Sequence, residues 1–347
     1  MNKKTINIFF TINNGYSCYL ATAMASILIN SKTSNKLAFY ILDGGISEDN
    51  KRKIEQLKVI KDFSIEYLPV SKQLFANMPN SCQAHISNET NYRFLISSLK
   101  PDIDKCIFID ADLVFADDIA LLWNIDVDGY YMAAVTDQAP LKKGSWVEKL
   151  PLPKGFSYVN TGVTVMNLKK WREDNIEKKL FKNVSKFQNL LKYPDQDTLN
   201  LTLAPCVKYL SHVFNAMPVQ KYYREDQKTE AFSSPVVIHW AGQSKPWINP
   251  QYKMADVFWK YARLTPFYEE IFYTNVSEVS LNKMILNTVQ RFEIVRDIAN
   301  HSKNIINYFR CKLLKSVTFG KLREHYKNKK RVLKTKVKNV RRFLKGK

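Results

Sequence analysis

Cys106-Ile107-Phe108-Ile109-Asp110-Ala111-Asp112-Leu113-Val114-Phe115 is the stretch on which the fold turns. Four apolar residues run into two carboxylates one residue apart, and three more apolar residues follow. A short apolar run bounded by polar residues reads as a buried strand. In open α/β sheets, ligands gather beyond the carboxyl ends of strands. Two acids held there repel one another and lose hydration unless a cation sits between them. Hard oxygen donors suit Mg²⁺ or Mn²⁺. The Asp-x-Asp pattern alone is weak: it recurs at Asp102/Asp104, Asp126/Asp128 and Asp195/Asp197, and chance supplies roughly one such pair in a chain of this composition. Only Asp110 and Asp112 directly end an apolar strand. A solvated turn after that strand is the alternative reading.

Outward from this point the pattern is that of an α/β sheet. Residues 6–12, 37–42 and 63–70 read as strands, and residues 19–30 and 47–60 as helices between them. Strand, helix, strand, helix, strand is how a parallel sheet begins. A helix over 90–99 precedes the acidic strand at 105–109. Further strands are expected at 131–136, 163–167, 207–210 and 236–240, with a helix between 195 and 203. No 20- to 50-residue period repeats, so a solenoid is excluded.

His239 ends the apolar run Val236-Val237-Ile238. A lone histidine there is commonly structural. Here it opens Trp240-Ala241-Gly242-Gln243-Ser244-Lys245-Pro246-Trp247, a glycine-containing loop bearing a lysine. Such a loop can bring backbone N–H groups and an ammonium to a diphosphate. An imidazole beside two carboxylates favours Mn²⁺ over Mg²⁺.

Composition narrows the class. The 347 residues are 45% hydrophobic and 24% charged, an ordinary globular mix that excludes a disordered or collagenous chain. The net charge of +21 is not spread evenly. The last 67 residues hold 20 Lys/Arg against three acids, whereas the first 280 hold 33 against 29. The body is nearly neutral and the tail is basic. Five cysteines, none in a Cys-x-x-Cys pair, read as reduced core thiols of a cytosolic protein. The N-terminus lacks the apolar length of a signal peptide, and no run of 18 apolar residues occurs.

Several motifs, in order, resemble the family 8 retaining glycosyltransferases, in particular bacterial lipooligosaccharide galactosyltransferases and their glucosyltransferase relatives. They are Leu42-Asp43-Gly44-Gly45-Ile46-Ser47; His85-Ile86-Ser87 with Thr90 and Arg93; Phe108-Ile109-Asp110-Ala111-Asp112; and Asn160-Thr161-Gly162-Val163 leading to Asn167-Leu168-Lys169-Lys170-Trp171. Asp195-Gln196-Asp197-Thr198-Leu199-Asn200 and the stretch from His239 to Trp247 complete the set. The resemblance covers residues 5–270.

It implies a GT-A (Rossmann-like) catalytic domain over 1–270; the charge pattern of 271–347 reads as a basic amphipathic helical, membrane-associating tail. The resemblance also implies a UDP-hexose donor and a Mn²⁺ ion (Mg²⁺ as the alternative) on Asp110, Asp112 and His239. Gly242 and Lys245 would hold the diphosphate, with Arg93 and Ala111 also at the donor. Asp137, Asn160, Thr161, Asp195 and Gln196 would line the sugar. Thr11, Asn13 and Tyr16 would hold uracil and ribose. The family usually carries an acidic Ala-Asp-Asp-Asn-Tyr-like segment at this last place. This chain has Ile12-Asn13-Asn14-Gly15-Tyr16, so an amide replaces a carboxylate toward the base. Asp195 would stabilise an oxocarbenium-like sugar. Gln196 stands where the family's candidate nucleophile stands, yet an amide is a poor nucleophile, which favours same-face attack with the leaving phosphate taking the acceptor proton.

Taken singly, these residues also have plain readings. Asp195 fits a helix start, His85 a core histidine and Arg93 a surface charge. Trp171, Trp240 and Trp247 read as core. The tail shows apolar residues at helical spacing (Leu333, Val337, Val340, Leu344) among Lys and Arg. That pattern suits an anionic membrane surface, and no base-reading motif favours nucleic acid. The expected activity is transfer of galactose or glucose from UDP to a lipopolysaccharide or lipooligosaccharide acceptor, at the inner face of the cytoplasmic membrane. Transfer to capsule or protein glycan is the alternative within the class. Outside it stands a nucleotide-sugar- or nucleic-acid-binding protein without transfer activity.

Overall fold

Strand β1 (Thr5–Ile12) is an interior strand of the main sheet, and its side chains alternate as a two-faced strand requires. Ile6, Ile8, Phe10 and Ile12 are buried, and Phe9 is buried within a second cluster with Phe108, Phe94 and Trp171. A computed structural model describes residues 5–76, 78–79, 87–138, 144–218, 223–275, 324 and 327–331. The chain divides into two units, Met1–Val276 and Ser277–Lys347. The expected tail helices lie outside the described residues, apart from helical residues at 324 and 327–331.

In the first unit, β1 is followed by α1 (Ser17–Asn30), β2 (Lys36–Asp43), α2 (Glu48–Glu55) and β3 (Ser64–Pro69). Ser47 caps α2 by accepting the N–H of Asn50. A 3₁₀ segment, Asn88–Leu95, leads into α3 (Ile96–Leu99), β4 (Lys105–Ile109), β5 (Leu113–Phe115), α4 (Ala120–Trp123) and β6 (Met132–Thr136). Next come β7 (Val159–Asn167), α5 (Leu168–Glu173), α6 (Ile176–Phe187), α7 (Pro194–Leu203) and β8 (Val207–Tyr209). The unit closes with α8 (Glu225–Ser233), β9 (Val237–His239), α9 (Ala255–Ala262) and α10 (Tyr268–Asn275).

Among the described residues, seven strands form one sheet in the order β3-β2-β1-β4-β7-β6-β8. The first four are parallel, as the sequence implies. β7 runs antiparallel to both β4 and β6. It also begins at Val159, four residues before the apolar run that announced it. A small second sheet pairs β5 with β9, antiparallel. The helix expected over 90–99 is mostly 3₁₀, a distinction that apolar spacing over so short a segment does not carry.

α1 is buried nearly all round because it packs against β5, α2, α9 and α10. Trp171, Trp240 and Trp247 are all buried, as read. Trp247 stacks on Tyr19 with ring centroids 3.7 Å apart. Cys18 and Cys106 are free thiols in the core, and burial pushes the Cys18 thiol up to about 12.

Candidate active site

Strand register assembles the acidic cluster. Ile109 pairs with Val163, and the N–H of Asp110 donates to the carbonyl of Gly162 at 2.8 Å. Three residues after Asp110, Leu113 pairs with His239, and the N–H of Trp240 donates to the carbonyl of Asp112 at 3.1 Å. The two sheets thus bring both carboxylates and the imidazole to the end of β4. His239 Nε2 lies 3.1 Å from Asp112 Oδ1 and 4.0 Å from Asp110 Oδ2. Asp110, Asp112 and His239 each offer one ligand atom, and these lie within 4.8 Å of one another. Two carboxylate oxygens and one imidazole nitrogen are a fitting set for a divalent ion such as Mn²⁺.

Cations of the chain itself neutralise the acids. Lys245, buried, pairs closely with Asp112 Oδ2 and donates to the carbonyl of Trp240 at 2.8 Å. Burial alone would raise the Asp112 carboxyl; Lys245 and then His239 outweigh it and hold it well below the usual carboxylate range. Arg93 is no surface charge. It is 2% exposed, with its guanidinium 2.9 Å from Asp110 Oδ1, 3.2 Å from Asp195 Oδ2 and 4.1 Å from the centroid of Phe108. Its Nη1 donates to the carbonyl of Thr161 at 2.9 Å. Burial raises the Asp195 carboxyl against the opposing pull of Arg93. Burial also raises the Tyr16 phenol, with Asp112 and Asp110 adding to the effect.

α7 carries Asp195 and Gln196 into the same space. Asn200 fixes the helix on β7: its Nδ2 donates to the carbonyl of Val159 and its Oδ1 accepts the Val159 N–H. Asp195 stands in the first turn, after Pro194, so its plain reading as a helix-start acid holds alongside its place in the site. Gln196 is engaged at both ends of its amide. Its Oε1 accepts the N–H of Thr161 at 3.1 Å, and its Nε2 donates to Asp137 Oδ2 at 3.0 Å. Gly242 has φ +89°, a conformation open to glycine, beside the pocket that Lys245 lines.

All fifteen residues singled out from the sequence line one pocket: Thr11, Asn13, Tyr16, Arg93, Asp110, Ala111, Asp112, Asp137, Asn160, Thr161, Asp195, Gln196, His239, Gly242 and Lys245. Sequence reasoning missed Trp146, Tyr193 and Met217 on its wall. Trp146 and Tyr193 owe their places to Asp197, the second acid of another Asp-x-Asp pair. Its carboxylate accepts from Trp146 Nε1 at 3.0 Å, Tyr158 Oη at 2.5 Å and the Tyr193 N–H at 2.9 Å. The remaining pairs lie in turns and ion pairs: Asp126 accepts the N–H of Asp128, and Asp104 pairs with Arg172.

Other motif residues build rather than line the pocket. Asp43 accepts the N–H groups of Gly45 and Ile46, and Asn167 caps α5 through the N–H of Lys170. Within Asn13-Asn14, Asn13 lines the pocket while Asn14 turns away to accept from Ser47 and Asn50. His85 lies outside the described residues.

A mostly parallel sheet with two carboxylates and an imidazole beyond its fourth strand defines a GT-A transferase. The crystal structure of the galactosyltransferase LgtC in complex with donor and acceptor sugar analogues has this fold. The TM-score is 0.68 at 27% identity, over 75% of this chain and 96% of that one. The chain belongs to glycosyl transferase family 8, whose model matches residues 7–250. It is a glycosyltransferase and stands among hexosyltransferases. A Haemophilus influenzae protein with a provisional glycosyltransferase name is 35% identical over 245 residues, 70% of this chain and 73% of its own. The lipopolysaccharide 1,2-glucosyltransferase of Escherichia coli K12 is 26% identical over 249 residues, 70% of this chain and 72% of its own.

Proposed function

We propose that the enzyme transfers a hexose, galactose or glucose, from UDP to a lipopolysaccharide- or lipooligosaccharide-type glycan, with retention and with a divalent ion. The observation that carries this is the cluster of Asp110, Asp112 and His239 sharing one pocket with Lys245, Arg93 and the Asp195–Gln196 pair. Asp110, Asp112 and His239 would hold Mn²⁺, which when bound supplies Lewis-acid stabilisation of the leaving diphosphate. The glycan class of the acceptor is supported by the glucosyltransferase and galactosyltransferase relatives.

The chain's own groups do the rest. Lys245 and the backbone around Gly242 bind the diphosphate, adding fixed positive charge where negative charge grows. Arg93 bridges Asp110 and Asp195 and keeps both carboxylates oriented into the pocket. Asp195 stabilises positive charge developing on the sugar ring. Gln196, held at both ends, brackets Thr161 against Asp137. An amide so engaged serves position better than bond formation, and this favours same-face attack over a covalent intermediate on Gln196. Accordingly, Gln196→Ala should retain measurable turnover; complete loss in a folded variant would revive double displacement.

Among the described residues no helix is long and apolar enough to cross a membrane. The basic tail is read as the part that docks the enzyme on the cytoplasmic face of an anionic membrane, where a lipid-linked acceptor would lie.

The experiment is UDP release from a panel of UDP-sugars, with Mn²⁺ and with chelator. Metal-dependent hydrolysis of one UDP-hexose is the expected result. Turnover unaffected by chelator would overturn the metal assignment, and absence of UDP binding with every sugar would overturn the donor.

A further inference from the structure

His239 is set by a residue outside the pocket lining, Asn215, which is fully buried. Asn215 ends the 3₁₀ segment His212–Asn215. The next residue meets β9 by backbone bonds: the N–H of Ala216 donates to Val237 and the N–H of His239 to Ala216. That ladder sets the Asn215 amide beside the imidazole, with Oδ1 2.9 Å from His239 Nδ1.

The orientation of the amide is fixed from a backbone group. The N–H of Gly162 can only donate, and it meets Asn160 Oδ1 at 3.0 Å. The other end of the Asn160 amide, Nδ2, donates to the Asp137 carboxylate at 3.3 Å. Asn160 Oδ1 is therefore an acceptor, and the Asn215 atom 2.8 Å from it must be its Nδ2. Asn215 Oδ1 then faces His239, and an oxygen accepts only if Nδ1 carries hydrogen. With Nδ1 so engaged, Nε2 is the atom turned to Asp112 and Asp110.

We propose that Asn215 is a positioning residue that holds His239 in the Nδ1–H form, leaving the Nε2 lone pair for the metal. This rests on the metal reading above. A histidine ligand is commonly fixed through its second nitrogen, and loss of that partner costs about 10- to 100-fold in metal affinity.

The test is Mn²⁺ affinity of the full chain without nucleotide, read from the electron paramagnetic resonance signal of unbound Mn²⁺. Asn215→Ala should weaken binding by about 10- to 100-fold. In a His239→Ala background, Asn215→Ala should add little further loss, because the two substitutions remove one interaction. Equal affinity of wild type and Asn215→Ala overturns the proposal. So does an equal loss with and without His239. A second measurement needs no variant at position 215. Ring ¹⁵N spectra of the metal-free wild type, assigned with His239→Ala, should show a proton on Nδ1, and a bare Nδ1 overturns the proposal. Wild type that binds no Mn²⁺ while its Nδ1 is protonated would instead sink the metal reading.

Discussion

Gly162 shows how little slack the site has. A Cβ built on it would fall 2.4 Å from His239 Cε1 and 2.6 Å from Asp110 Oδ2. No side-chain rotation relieves this, because the neighbours are a ring held by Asn215 and a carboxylate held by Arg93. Gly162→Ala must therefore push apart two members of the cluster. The expected outcome is a folded protein whose metal-dependent UDP release falls by about 100-fold, since misplacement by an ångström costs about that much. Circular dichroism alongside the rate assay checks both halves. The carboxylates of this site were legible because charge at the end of an apolar strand has a chemical meaning by itself. Asn215, Trp146 and Tyr193 were not. A buried amide has no local signature, and these residues reach the site through register and through Asp197.

At the scale of elements, the weak link is β5. Three residues are too few to read as a strand, and a two-stranded sheet is marginal unless something covers it. α1 supplies the cover and two hydrogen bonds. The N–H of Phe115 donates to Ser26 Oγ at 2.9 Å, and Asn30 Nδ2 donates to the carbonyl of Phe115 at 2.8 Å. Ser26 is wholly buried in a helix whose apolar character is otherwise almost continuous. Its hydroxyl is explained by the strand it holds, and that strand begins one residue after Asp112. Ser26→Ala strands a buried N–H, which costs about 1–3 kcal/mol. At roughly 2–4 °C per kcal/mol for a unit of this size, thermal melting should fall by several degrees. An unchanged melting temperature would mean that β9 and the rest of α1 hold β5 in place without the Ser26 hydroxyl. The same dependence explains what the sequence hid. The parallel half of the sheet follows from alternating strands and helices, whereas β5, and the reversal of β7, exist only through partners distant in the chain.

For the whole molecule, the asymmetry of charge is the fact to explain. On the membrane reading proposed above, the nearly neutral body is drawn to an anionic surface by the 20 Lys/Arg of the last 67 residues. Near such a surface each basic residue contributes about 1 kcal/mol, so engagement of only a part of them suffices for binding. The attraction is electrostatic and screens with a Debye length of about 10 Å at 0.1 M salt and about 3 Å at 1 M. The chain with its tail should therefore float with vesicles containing phosphatidylglycerol at low salt and leave them at high salt. It should stay behind with vesicles of phosphatidylcholine alone. If the apolar residues among the basic ones also insert, a salt-resistant fraction should remain on the anionic vesicles. Equal binding to both vesicle types, or none to either, would separate the tail from the membrane and leave the acceptor to reach the pocket from solution.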